Sequence, residues 1–323
     1  MPGEDTVTIG GGLLSAAENI PEADAYFQVR KEIFRVLKIA CSFDSAFTAE
    51  QVHRFIRVPI SESDFQAVLA RLKREGELQG TRGGLWRSDE KNGFERRRKW
   101  SHRVFDENKK HLKWIVRLPW VRYVALTGAN AFESCNADDD VDLFIVTAIN
   151  RLWLTYGIIV ILSHLLKVRK KLCVNFLIDE SNLNLSQKNY FTAVQIVQMQ
   201  SIINHAFKKR FILENRWIYR ILPNARVEAQ PNSRYYLGEK PWPTGNAKGL
   251  GLSRLNHWIF RKYQKRLQRK FPRIFGRNII VKPGLAKLNR VDYQEVYQMI
   301  DSGVTSREAL RKAVYRDAGL GES

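Results

Sequence analysis

The chain has 323 residues, a formal net charge of +20 and a hydrophobic content of 44%. This length accommodates two or three domains, and the hydrophobic content excludes a chain too polar to build a core. The three cysteines are widely spaced and predict neither a disulfide framework nor a zinc site, so we expect a cytoplasmic protein. The first 25 residues contain five acids and no Lys or Arg, which argues against a signal peptide. The positive charge indicates an anionic partner: nucleic acid, an acidic surface or a polyanionic substrate.

The N-terminal part is predicted to hold a leader and a small helical module. Residues 1–24 are rich in glycine and acids and lack periodicity, which is typical of a disordered leader. Residues 25–90 predict three helices and a two-stranded hairpin, with Thr48 as the N-cap of the second helix and Ser61 and Ser63 as cap candidates for the third. That order resembles a winged helix, which would read DNA through its third helix. The alternative is a docking module that serves the rest of the chain.

The middle of the chain alternates helices and strands. Residues 91–120 predict a connecting helix, and a strand follows at 121–126. Residues 152–166 form an apolar run without a formal charge, too short for a membrane span and suited to a crossover helix on a sheet. A further strand is predicted at 172–180. Further predictions for this part are a pair of helices at 189–207 and 208–222, and a Pro-, Gly- and Asn-rich linker at 225–251.

Two carboxylates two residues apart are the most informative feature of this region. Asp140 and Asp142 enter a strand predicted at 141–146, so both side chains face the same way. They repel each other unless a cation lies between them, and oxygen ligands suit Mg²⁺. Gly128, in the turn before this strand, allows the backbone to approach a phosphate closely.

These residues carry a family resemblance. One stretch resembles the signature of the nucleotidyltransferase superfamily typified by DNA polymerase β: Gly128-Ala129, ten further residues and then Asp140-Val141-Asp142-Leu143. With the helix and strand that follow, the chain is similar to an uncharacterised group of bacterial nucleotidyltransferase-domain proteins. The resemblance implies an α+β fold. A small mixed β-sheet core with helices at 121–224 would follow the winged-helix-like module and precede a basic helical region at 252–323.

The resemblance also implies the roles of individual residues. Asp140 and Asp142 would hold two Mg²⁺ ions and a nucleoside triphosphate. The third carboxylate of the family falls at Asn175, and Asp179, placed on the same predicted strand face, is the candidate replacement. The residues expected to contact the nucleotide are Thr127, Gly128, Ala129, Asn130, Lys208 and Arg216.

Two other functions fit part of this pattern. Three departures from the family's pattern would suit a degenerate domain, one that binds nucleotide or nucleic acid without turnover. These are Ala129 in place of serine, the Glu133-Ser134 pair and Asn175. A sugar transferase with an Asp-X-Asp motif explains the carboxylates but leaves the Gly128 turn unexplained.

The C-terminal region carries most of the excess charge. Residues 240–291 contain 14 Lys or Arg and no Asp or Glu. Apolar residues four apart predict a helix with one apolar seam, and the interleaved aromatics favour RNA as the partner and acceptor. An anionic membrane surface and a protein-contacting face are the alternatives. The residues expected to bind nucleic acid are Arg261, Lys265, Arg269 and Lys270. Helices at 293–301 and after Thr305 are predicted to follow.

Overall fold

The computed structural model of the protein describes residues 23–43, 45–81, 84–87, 93–241, 250–304 and 308. They form a mixed α+β fold with eleven helices and eight strands in the described residues. The helices are α1 (Ala23–Ser42), α2 (Ala49–Phe55), α3 (Glu62–Arg74), α4 (Phe94–Arg117), α5 (Gly128–Ala131), α6 (Leu152–Leu165), α7 (Tyr190–Gln198), α8 (Ala206–Glu214), α9 (Ile218–Ile221), α10 (Leu250–Lys270) and α11 (Tyr293–Asp301). The strands are β1 (Leu78–Thr81), β2 (Gly84–Arg87), β3 (Val121–Leu126), β4 (Val141–Thr147), β5 (Leu172–Asp179), β6 (Gln200–Ile203), β7 (Ile280–Lys282) and β8 (Leu285–Lys287).

Some sequence predictions fall outside the described residues. These are the leader up to residue 22, the hairpin turn at 82–83, residues 242–249 of the predicted linker and the helix predicted after Thr305, apart from Glu308. The described part of the linker, 225–241, contains no helix or strand.

The N-terminal unit has the predicted order of three helices and an antiparallel hairpin, β1–β2. Its helix starts follow the predicted caps. Thr48 Oγ1 accepts a hydrogen bond from Gln51 N at 3.2 Å, and the Gln51 side chain accepts one from Thr48 N at 2.8 Å. Ser61 Oγ accepts from Asp64 N at 3.1 Å. These bonds satisfy N–H groups that have no partner inside the helix.

A six-stranded sheet forms the centre of the molecule, in the order β6-β3-β4-β5-β8-β7. Its one parallel pair is β4–β5, and α6 makes the connection between these two strands. The crossover helix predicted at 152–166 is therefore confirmed. The strand order brings the first residues of β4 and β5 side by side, and their polar side chains meet there.

Three strands of this sheet were not predicted. The helix predicted at 189–207 is wrong in its second half, because Met199 (φ −44°, ψ 133°) leaves the helical region and β6 follows, paired with β3. The helix predicted at 208–222 is divided between α8 and α9. The helical region predicted at 252–323 contains α10 and α11, but the prediction is incomplete, since β7 and β8 lie between these helices and extend the sheet beyond β5.

The sheet is covered on both faces. One face, which includes Tyr123, Phe144 and Val146, shares a core with the N-terminal unit and with α7 and α8. The opposite face, which includes Val124 and Ile145, packs against α4, α6 and α10. None of the described helices has the combination of length and apolar composition that a membrane span requires.

Candidate metal and nucleotide site

Two carboxylates and a thiol converge where β4 and β5 begin. Asp142 is paired with Cys173 across the parallel strands, and Asp140 lies two residues before Asp142. Potential ligand atoms of Asp140, Asp142 and Cys173 all lie within 4.8 Å of one another. The alternation of side chains on a strand therefore brings both predicted aspartates to one place.

The site is electrostatically unfavourable for carboxylates without a counter-charge. Burial, together with the Asp140 carboxylate, raises the pKa of Asp142 to about 7, although a hydrogen bond from Asn175 opposes the shift. Burial also raises the pKa of Asp140. Burial and both carboxylates raise the pKa of the Cys173 thiol to about 12. A divalent cation would relieve this repulsion, and the two carboxylates are oxygen ligands that suit Mg²⁺.

The turn at Gly128 lies directly against the second carboxylate. Gly128 has a φ of +54°, and a Cβ at this position would lie 2.6 Å from Asp142 Oδ2. Thr127 N donates to Asp142 O at 3.0 Å, which joins the end of β3 to β4. Gly128 N donates to Gln195 Oε1 at 3.3 Å, so this N–H, predicted to cradle a phosphate, already has a partner in α7. Only glycine combines this φ with this close approach.

Asn130 holds the aspartates in place through their backbone. Its Oδ1 accepts from Asp142 N at 2.8 Å, and its Nδ2 donates to Asp140 O at 3.1 Å. The side chain is buried, and Nδ2 also lies 2.8 Å from Cys135 Sγ. The side chain of Asn130 therefore positions the two aspartates, and its contact with the nucleotide stays a prediction. Ala129 contributes its carbonyl, which accepts from Ser134 N at 2.9 Å.

A β-bulge in β5 decides which side chains reach the site. Leu143 pairs with Val174 and Phe144 with Phe176, which leaves Asn175 as the extra residue. Its Nδ2 donates a short hydrogen bond to Asp142 Oδ1, and its Oδ1 accepts from Cys173 Sγ at 2.8 Å. An amide therefore occupies the place where the resemblance implies a third carboxylate.

The same bulge removes Asp179 from the site. Beyond an extra residue the alternation is inverted, so Asp179 pairs with Thr147 and belongs to the opposite face from Asp142. It also lies six residues beyond Cys173, which is roughly 20 Å along a strand. Its carboxylate accepts from Ser181 Oγ at 2.6 Å and from Asn150 N at 3.2 Å. The prediction that Asp179 shares a strand face with the candidate ligands is wrong.

The two cations predicted to reach a triphosphate are not joined to the aspartates. Lys208 is 1% exposed, and its ammonium donates to Met199 O at 2.8 Å and to Glu228 at 2.7 Å. Arg216 is exposed in the turn between α8 and α9. Lys208 is thus part of the core, whereas the role of Arg216 stays a prediction.

Sequence reasoning missed several residues of the site. Cys173 is one of them: it lies two residues before Asn175 on a predicted strand, a signal that could have placed the thiol beside the carboxylates. Gln195 and Tyr293 had no such signal, since α7 and α11 reach the site only through tertiary packing. Burial and the nearby carboxylates raise the pKa of Tyr293, whose ring stacks on Phe191 at 6.1 Å.

The predicted nucleic-acid-binding residues lie elsewhere, on α10. Arg261, Lys265, Arg269 and Lys270 are all exposed. Most of the aromatics that suggested base stacking are turned inward: Phe260 is buried, and Tyr263 stacks on Trp153 at 6.0 Å. These basic residues belong to the helical layer on the other face of the sheet.

No family model matches the chain, and no curated protein and no solved structure was found to match it. The resemblance to nucleotidyltransferases therefore depends on the Gly128 turn and the Asp140–Asp142 pair, and it stays a prediction.

Proposed function

We propose that the protein is a metal-dependent nucleotidyltransferase that moves a nucleoside monophosphate from a nucleoside triphosphate to an acceptor hydroxyl. The observation that supports this most is the contact between the Gly128 turn and the Asp142 carboxylate, beside Asp140. In this proposal β3, α5, β4 and β5 belong to a nucleotidyltransferase core, and the N-terminal unit is a winged-helix-like module. A cytoplasmic location, with its supply of triphosphates and Mg²⁺, fits the proposal.

The chain's own residues would prepare the site for this reaction. Asp140 and Asp142 would hold Mg²⁺, Asn130 keeps both at the sheet edge, and Asn175 orients one oxygen of Asp142. When bound, Mg²⁺ supplies charge neutralisation at the phosphates and lowers the pKa of the acceptor hydroxyl. In the overall reaction the acceptor oxygen bonds to the α-phosphorus, the bond to pyrophosphate breaks, and the acceptor proton passes to water. An RNA end stays the predicted acceptor.

A second candidate is nucleotide binding without turnover. Its support is Asn175, whose amide donates to Asp142 at the position implied for a third carboxylate.

One experiment separates these candidates. The full chain would be incubated with each α-³²P-labelled triphosphate, Mg²⁺ and bulk RNA, beside Asp142→Asn and a matched variant, Asp138→Asn. Asp138 belongs to the same acidic run but is exposed. Label transfer that is lost in Asp142→Asn and kept in Asp138→Asn supports the transferase. Mg²⁺-dependent nucleotide binding without transfer supports the second candidate, and the absence of such binding contradicts both.

A further inference from the structure

Helices α6 and α10 lie side by side on one face of the sheet, so their outer surfaces are adjacent. Leu154 N donates to Asn256 Oδ1 at 3.0 Å, and Trp153 packs on both Phe260 and Tyr263. Both helices belong to the same core beneath. We call the solvent side of this pair, together with Leu166, the α6–α10 face.

The α6–α10 face exposes large apolar side chains. Leu165 is 72% exposed, Ile161 60% and Trp258 58%. Leu166, Leu252 and Leu255 are exposed as well, so this face holds six of the eleven exposed large hydrophobic residues among those that the structure describes. A concentration of this kind marks a surface that is covered in use, whereas single exposed apolar residues need no explanation.

The same face is strongly positive. Five basic residues in the last three turns of α10 line a shallow cleft: Lys262, Lys265, Arg266, Arg269 and Lys270. There is no Asp or Glu between residues 143 and 178 or between 240 and 291, so neither helix nor its flanking segments offset this charge. The occupant of this face is therefore expected to be anionic and to accept apolar side chains.

We propose that the α6–α10 face docks on the surface of an anionic lipid bilayer. Lysine and arginine side chains would contact lipid phosphates while Trp258, Ile161 and Leu165 enter the boundary between headgroups and acyl chains. RNA explains the cations but gives no role to exposed leucine and isoleucine, and the aromatics available for stacking are mostly turned inward. The combination of exposed aliphatic side chains and basic residues favours the bilayer.

Vesicle sedimentation with the full chain tests this proposal. Binding is expected to phosphatidylcholine vesicles that contain 30% phosphatidylglycerol and not to phosphatidylcholine alone. Lys265→Glu with Arg269→Glu should lower the partition coefficient roughly 100-fold or more, since each unit of charge near an anionic surface contributes about a fivefold effect and the two reversals change four units of charge. The matched control is Lys31→Glu with Lys73→Glu, two exposed lysines of the N-terminal unit, which should leave binding unchanged.

The apolar contribution has its own test. Ile161→Ser with Leu165→Ser should weaken vesicle binding roughly 10-fold or more. Phe27→Ser with Leu213→Ser removes exposed apolar side chains elsewhere and should have no effect. Acyl chains brominated near the headgroup should quench part of the tryptophan fluorescence, and that part should be missing in Trp258→Phe.

Other outcomes would overturn the proposal. Equal binding to neutral and anionic vesicles, or no binding to either, contradicts it. So does tight binding to a 30-nucleotide RNA that the charge reversals abolish and the serine substitutions leave intact, when no vesicle binding accompanies it. That result would return the face to the RNA interpretation.

Discussion

Removing one charge from the candidate metal site should stabilise the metal-free protein. The substitution Asp142→Asn keeps the size of the side chain and retains an oxygen to accept from Asn175, while it removes the carboxylate that lies beside Asp140. Most polar substitutions at partly buried positions destabilise a protein. A gain in stability here would thus be a specific sign of carboxylates that lack their counter-ion.

The size of the effect follows from the pKa of Asp142, which is about 7 in the folded protein against an ordinary value of 3.8. At about 1.4 kcal/mol for each pH unit of difference, ionised Asp142 lowers the free energy of unfolding by about 4 kcal/mol at pH 8. Well below pH 3.8 the carboxyl is protonated in both folded and unfolded chains, and this penalty vanishes. It grows as the pH rises towards 7, and at pH 5 it is about 2 kcal/mol.

Urea unfolding in EDTA, followed by tryptophan fluorescence, measures this prediction at pH 5 and pH 8. Asp142→Asn should have a higher free energy of unfolding than the wild type, with the larger difference at pH 8. Asp138→Asn should change the free energy of unfolding by less than about 0.5 kcal/mol. Mg²⁺ at 100 times its dissociation constant should then stabilise the wild type by about 2.7 kcal/mol and the Asp142 variant by much less. Equal midpoints for wild type and Asp142→Asn, or an equal response to Mg²⁺, would refute the reasoning.

Three further substitutions test the site and the buried Lys208–Glu228 ion pair. In a thermal-shift assay, Gly128→Ala should abolish stabilisation by Mg²⁺ because the added Cβ would meet a carboxylate oxygen. Gly76→Ala is the control: Gly76 has a φ of +72° and its Cβ would have no atom within 4 Å, so the response to Mg²⁺ should stay intact. Similar responses of the two variants would contradict this. Asn130→Ala should weaken Mg²⁺ binding 10–100-fold by calorimetry, as loss of a residue that positions ligands does; an unchanged affinity would argue against its positioning role. Glu228→Gln should cost about 3–5 kcal/mol in urea, since it leaves the Lys208 ammonium buried without its partner. Burial raises the pKa of Glu228, but the charge of Lys208 outweighs it and holds the pKa below 4.5. The wild type should therefore lose the stabilisation from this ion pair as the pH falls below 4.5. A cost of Glu228→Gln under about 1 kcal/mol at pH 7 would refute the prediction.

Local signals in the sequence predicted the elements around the site well. The caps at Thr48 and Ser61, the crossover helix and the strands that flank Gly128 depend on neighbouring residues and on side-chain period, and the structure has all of them. The pairing of Asp140 with Asp142 follows from the alternation of a single strand. Features of this kind need no knowledge of distant contacts.

The missed features depend on pairing between distant segments. β6 has four residues and lies in an apolar run of helical spacing, so only its hydrogen bonds to β3 define it as a strand. β7 and β8 had a local signal in Pro283-Gly284, a turn pair between two short apolar segments, which could have predicted the hairpin but not its pairing with β5. The bulge at Asn175 left no mark in the sequence, and it decided the position of Asp179.

The two proposals place their surfaces on different sides of the sheet. Asp142 alternates with Phe144, whose ring belongs to the core shared with the N-terminal unit, whereas α6 and α10 cover the opposite face. A protein docked on lipid through the α6–α10 face would therefore keep the carboxylates accessible to dissolved nucleotide. Reversal of Lys265 and Arg269 should then remove vesicle binding without changing the response to Mg²⁺, and Asp142→Asn should do the reverse. If either change removed both vesicle binding and the response to Mg²⁺, the two surfaces would not be independent, and their proposed separation by the sheet would be contradicted.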